Sequence, residues 1–249
     1  MTDPLVRLEV ADAIATITLD SPHNRNALSR QLVTELVKAL ARAEADDDAK
    51  VVLLRSSGRV FCSGADLSEA STVPMEESAG AIVALQRQIL AHAKPVVVRL
   101  DGPVRAGGLG IVGAADIVVS AEDATFAFTE VRLGLAAAMI SLTVLPRLTS
   151  RAAASTILTG ATFDGRQAEA YGLITTAVPA DELDGAVTSV LDDLAKGAPQ
   201  GLRESKRLLN AGIIADCDAR GEELAALSSR LFRSDAAREA MTSFLSKKG

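Results

Sequence analysis

The sequence predicts an α/β core followed by an all-helical C-terminal region. Two observations lead to this: short β-branched runs alternate with helical patterns through the first half, and strand-like runs stop near residue 135 while amphipathic segments punctuated by Gly and Pro continue. With 249 residues, 48% of them hydrophobic, the chain can bury a substantial core.

Strands are expected at LVRLEV, AIATITLD, KVVLLRSS, PVVVRLDG, DIVVSAE and ATFAFT. Between the second and third, Leu32, Leu36 and Leu40 recur every four residues, with Val33 and Val37 widening the stripe. This predicts a helix near 29–45 with Ser29 as its cap. Residues 68–80, SEASTVPMEESAG, carry Pro and Gly without periodicity and read as a loop, either a substrate-facing lid or a plain connection.

Beyond residue 135, SRAAASTILTG offers Ser150 as a cap and Gly160 as a stop, and FDGRQAEAYG offers an Asp164/Gln167 capping box ending at Gly172. Further helices are expected over ELDGAVTSVLDDLAKG, PQGLRESKRLLN, ARGEELAALSSRLF and DAAREAMTSFLS, with Pro199 at a first helical position. The domain reading is an α/β core over 1–195 and a helical region over 196–249.

The net charge of −6, with both signs interspersed, gives no footprint for nucleic acid or an anionic membrane. No apolar run reaches the roughly 18–20 residues that span a bilayer, and the N-terminus lacks a signal-peptide layout, so a cytoplasmic protein is expected. Cys62 and Cys217 form no metal or disulfide pattern and are expected to be buried; no metal site is expected. His23 and His92 have no nucleophile signature nearby and read as structural or surface residues.

Two glycine-bearing segments carry the chemistry. GRVFCSGADL, residues 58–67, leaves a strand through Ser63, Gly64 and Ala65, where small residues let a backbone N–H face outward. DGPVRAGGLGIVGAADIVVS, residues 101–120, turns through Gly into an apolar helix starting around Gly107 and Gly108, whose free N–H groups can meet developing negative charge. Its G-x-G-x-x-G spacing, Gly108 to Gly113, lacks the βαβ context of a dinucleotide site.

These segments, with HNRNALS, ATFAFTEVRLGL, AEAYGLITTAVPADEL and AMTSFLSKK in the same order, resemble the crotonase or enoyl-CoA hydratase/isomerase superfamily over nearly the whole chain. The resemblance implies a spiral of ββα units with a C-terminal helical trimerisation region, a homotrimer or hexamer, and a coenzyme A thioester substrate with no separate cofactor. It places the oxyanion hole on the N–H groups of Ala65 and Gly107 and the acid/base on Glu130. It assigns the CoA and substrate contacts to Arg25, Ala27, Ser63, Ala65, Asp66, Leu67, Gly107, Gly108 and Gly110, with Phe244 and Lys247 reaching a neighbouring subunit's CoA.

Two-glutamate hydratases carry a second Glu three residues after the oxyanion glycine; here that position is Gly110. The surrounding G-L-G and TEVRLGL resemble bacterial hydratases of branched or methylglutaconyl-like enoyl-CoA, which implies a hydratase of a short or branched 2-enoyl-CoA, while the single glutamate resembles Δ3,Δ2-enoyl-CoA isomerases, the alternative. An acyl-CoA-binding protein without catalysis and a thioester hydrolase also stay open. Glu130 could instead be a loop residue paired with Arg132, Asp116 reads as structural, and position alone puts Arg105 and Met139 in the acyl pocket.

Overall fold

The computed structural model describes residues 3–69 and 75–246. Strands β1 (Val6–Ala11) and β2 (Ile14–Leu19) form a hairpin that opens a six-stranded sheet, continued in order by β3 (Val51–Ser56), β4 (Val96–Leu100), β6 (Ile117–Ala121) and β9 (Thr176–Val178). Only the β1–β2 pair is antiparallel; every later pairing in this sheet is parallel. A second sheet holds β5 (Val104–Arg105), β7 (Thr125–Ala127) and β8 (Phe163–Asp164). Isolated parallel bridges Leu28↔Ala65 and Cys62↔Val104 extend this second sheet toward the N-terminus.

The chain therefore repeats one turn. A strand of the large sheet leads to one to three residues pairing in the small sheet, then to a helix: α1 (Arg30–Ala45) follows Leu28, α2 (Met75–Ala91) follows Cys62 and Ala65, and α3 (Gly107–Ala114) follows β5. After β7 comes a 3₁₀ turn at Glu130–Leu133 and α4 (Ala138–Val144). This is the expected spiral of ββα units, and parallel strands require such helical crossovers. The strands of the large sheet are buried along β3, β4 and β6, whose Val- and Leu-rich runs are covered on both faces.

The helical half contains α5 (Ser150–Thr159), α6 (Gly165–Ala170), α7 (Leu183–Ala195), α8 (Pro199–Phe232) and α9 (Asp235–Ser246). The Ser29 side chain accepts from the Leu32 N–H, the Asp164/Gln167 capping box is complete, and Pro199 opens α8, as expected. Four readings change. Thr149, not Ser150, caps α5, because its side chain accepts from the Ala152 N–H. Strands do not end at 135: β8 and β9 pair with chain more than thirty residues away, which no local pattern announces. Residues 75–80 open α2 rather than belonging to a loop. The two helices expected over 199–232 are one 34-residue helix, continuous through Gly212, where a Cβ would meet nothing within 4 Å.

Helix α8 is tied to the sheet by a buried polar network. Lys206 Nζ lies 2.7 Å from Asp116 Oδ2 and donates to the carbonyls of Ile89 and Lys94. Asp116 also accepts from the Val96 N–H and from Asn210 Nδ2, and Asn210 Oδ1 accepts from Arg147. The structural reading of Asp116 thus has its partners. His92 is buried, with Nδ1 facing the Lys94 backbone and Nε2 facing the Leu40 carbonyl; both cysteines are buried as free thiols.

Candidate active site

The candidate groups leave the small sheet at equivalent places in three successive turns. Ala65 follows the Cys62 bridge, Gly107 follows β5, and Glu130 follows β7. All three line one pocket. Its wall is largely apolar, with Ile82, Leu133, Leu135, Met139, Ile140 and Phe232, and it carries the hydroxyls of Ser63, Thr129 and Ser228.

Gly107 is the first residue of α3, so its N–H has no partner inside the helix. Among the described residues neither the Ala65 nor the Gly107 N–H donates a hydrogen bond. Gly64 sets their approach: its φ is +97°, and a Cβ there would lie 2.9 Å from Ala106 Cβ and 3.7 Å from Gly107 N. Ala106 itself sits at φ 46°, ψ −121°, a strained conformation for a residue with a side chain. Strain of this kind persists only where surrounding structure imposes it, here the Ala106 N–H bond to Ala127 O on the neighbouring strand.

Glu130 Oε2 is buried without a hydrogen-bond partner. Burial pushes the carboxyl up from 4.5 to about 7, only partly offset by a bond from its own backbone. No ion pair joins it to Arg132, which is exposed, so the loop-pair reading does not hold. A carboxyl poised near neutrality, beside two free N–H donors in an apolar pocket, can exchange a proton with a substrate carbon whose carbonyl oxygen those donors hold.

The position of the second glutamate is filled. A Cβ on Gly110 would lie 2.8 Å from Gln86 Oε1 and 2.8 Å from Ile140 Cγ2. Gln86 is fully buried on α2; its Oε1 accepts from Thr143 Oγ1 and its Nε2 donates to Ile82 O. Gln86 is the residue sequence reasoning missed, and no local signal marks it, because its importance comes from facing Gly110 across two helices.

The remaining candidates divide. Ser63 lines the pocket and donates to Asn24 O, while its N–H donates to Arg25 O; Arg25 itself is exposed and, like Ala27 and Asp66, is not in the pocket lining. Ala27 is buried. Asp66 accepts from Asn24 Nδ2 and from the Ser68 N–H and hydroxyl; burial alone would raise its pKa, but these bonds outweigh it and the carboxyl is held low. Gly108 packs against Cys62, and neither it nor Gly110 lines the pocket. Met139 lines the pocket, but Arg105 does not: its guanidinium is spent on Val104 O and Thr125. Leu67 begins a 3₁₀ turn, Phe244 lies in α9, and Lys247 lies outside the described residues.

The sequence pattern of the enoyl-CoA hydratase/isomerase family matches residues 9–249. The chain belongs to this family. An enoyl-CoA hydratase from Mycobacterium avium superimposes with a TM-score of 0.92 at 46% identity, covering 99% of this chain and 98% of that one. The (E)-benzylidenesuccinyl-CoA hydratase of Thauera aromatica is 30% identical over 81% of this chain and 80% of its own. The peroxisomal Delta(3,5)-Delta(2,4)-dienoyl-CoA isomerase of Arabidopsis thaliana is 27% identical over 98% of this chain and 94% of its own. Membership of the enoyl-CoA hydratase/isomerase family makes the chain an acyl-CoA-processing enzyme. Among the described residues no helix is long and apolar enough to cross a membrane, and no cluster of His, Cys, Asp and Glu could hold a metal.

Proposed function

We propose that the protein hydrates short or branched 2-enoyl-CoA thioesters, with Glu130 as the acid/base and the Ala65 and Gly107 N–H groups holding the thioester oxygen. The observation that carries this is the unpartnered, buried Glu130 Oε2 in the same pocket as two free N–H donors. The Glu130 carboxylate takes a proton from water as the water oxygen bonds to the β-carbon. The double-bond electrons move toward the thioester carbonyl, forming an enolate, and the Glu130 carboxyl returns the proton to the α-carbon. Each preorganised donor contributes on the order of 3 kcal/mol to holding that charge.

The CoA portion is assigned to Ser63 at the pocket and, from the family resemblance, to Arg25, Ala27, Asp66, Leu67, Phe244 and Lys247. The thioester is the substrate and no further cofactor is invoked. Homotrimers or hexamers are the proposed assembly and the cytoplasm the proposed location.

Double-bond isomerisation is the second reading, favoured by one observation: Gln86 and Ile140 occupy the space beside Gly110, leaving Glu130 as the single ionisable group of the pocket lining among the described residues. In that reaction Glu130 would take a proton from the α-carbon of a 3-enoyl-CoA and return it to the γ-carbon. The near-ultraviolet absorbance of a short conjugated 2-enoyl-CoA separates the two. Loss of the conjugated band with the parent protein, and its persistence with Glu130→Gln, supports hydration. No loss with the 2-enoyl-CoA, together with a rising band from a 3-enoyl-CoA, replaces hydration by isomerisation.

A further inference from the structure

Helix α2 presents Ile82 to two cavities at once. On one side Ile82 lines the active-site pocket with Ala65, Gly107 and Ile140; on the other it lines a second cavity between α1 and α2 with Leu28, Val33, Thr34 and Ala81. The second cavity has an apolar floor, since Leu28, Val33 and Ile82 are buried core residues, and the Arg30–Glu77 ion pair at 2.7 Å lies at its rim. Leu28 is also close to the oxyanion end of the first pocket: a Cβ on Gly107 would lie 2.9 Å from Leu28 Cδ1.

We propose that Ile82 is the chain-length stop of the acyl site, a partition that confines the parent protein to short acyl groups and whose removal opens the second cavity to the tail of a longer one. This rests on the acyl-CoA reading above. The partition is held in place, because the buried Gln86 amide donates to the Ile82 carbonyl at 3.2 Å while its oxygen accepts from Thr143 at 2.7 Å. Burial of a hydrocarbon tail is the chemistry an apolar floor with a charged rim favours, and roughly two buried methylenes are enough to change affinity about tenfold.

The test is the calorimetric affinity of butyryl-CoA and decanoyl-CoA, neither of which has a double bond to react. The parent is expected to prefer butyryl-CoA. In Ile82→Ala the preference should move about tenfold or more toward decanoyl-CoA, and in Ile82→Val by a smaller factor in the same direction. Adding Thr34→Trp, an exposed position on the second cavity, should cancel the gain in Ile82→Ala. An unchanged ratio in both Ile82 variants, or a gain that survives Thr34→Trp, would overturn the proposal. Failure of butyryl-CoA to bind the parent would instead sink the acyl-CoA reading on which it stands.

Discussion

At the scale of single residues, the site depends on one carboxyl kept out of water. Raising the Glu130 pKa from 4.5 to about 7 means that the folded state holds a proton the unfolded chain releases. The stability Glu130 contributes is complete below about pH 4.5 and is lost as pH rises through about 7, a change on the order of 3 kcal/mol. Relative to the parent, Glu130→Gln should therefore gain stability between about pH 5 and about pH 8 in urea denaturation, while kcat falls about a hundredfold or more. A stability difference independent of pH would show that the carboxyl is not held protonated by burial. The roles proposed for Ala65, Gly107 and Glu130 come only through resemblance, since two are backbone donors with no side-chain signature and the third reads equally well as a surface loop residue. Arg105 was misplaced because position in a motif does not reveal which way a side chain turns.

At the scale of elements, three short strands aim the site. Helix caps at Ser29 and Asp164 were legible because their bonds span only three residues. The two-residue strands β5 and β8 were not, because their pairing partners come from other turns of the spiral. The N-terminus of α2 was lost inside a polar, Pro- and Gly-bearing stretch that reads as loop. Gly64 joins the turns that carry the two N–H donors, and this gives a prediction at the same scale. Gly64→Ala forces a Cβ onto Ala106 from a positive φ and should cost about 1–3 kcal/mol in stability. Displacing the donors should also lower kcat/KM by about tenfold or more, read by steady-state kinetics beside denaturation. Wild-type kinetics in a normally stable Gly64→Ala would mean that the donors are not set by this contact.

At the scale of the whole molecule, the large sheet and the helical half act through one buried network. Its chemistry was half visible: Asp116 reads as structural from its segment, but Lys206 and Asn210 come from a helix ninety residues later. Burial lowers the Lys206 pKa, opposed chiefly by the Asp116 charge, so removing Asp116 leaves a buried ammonium without its counter-charge. Asp116→Ala should cost about 3–5 kcal/mol in denaturant unfolding, and Lys206→Met with Asp116→Leu should recover much of it. The α/β core and the long helical C-terminal region were both legible from periodicity. The spiral itself was not, because one of the two strands in each turn is only one to three residues long.

The proposed chemistry turns on one step, in which Glu130 moves a proton at the α-carbon of a thioester whose oxygen is held by Ala65 and Gly107. Deuterium exchange into the α-position of butyryl-CoA in heavy water, followed by mass spectrometry, reads that step without requiring hydration or isomerisation. Exchange is expected with the parent protein and none with Glu130→Gln, although both bind the thioester. Equal exchange by the two proteins, or a parent that binds butyryl-CoA and exchanges nothing, would contradict it.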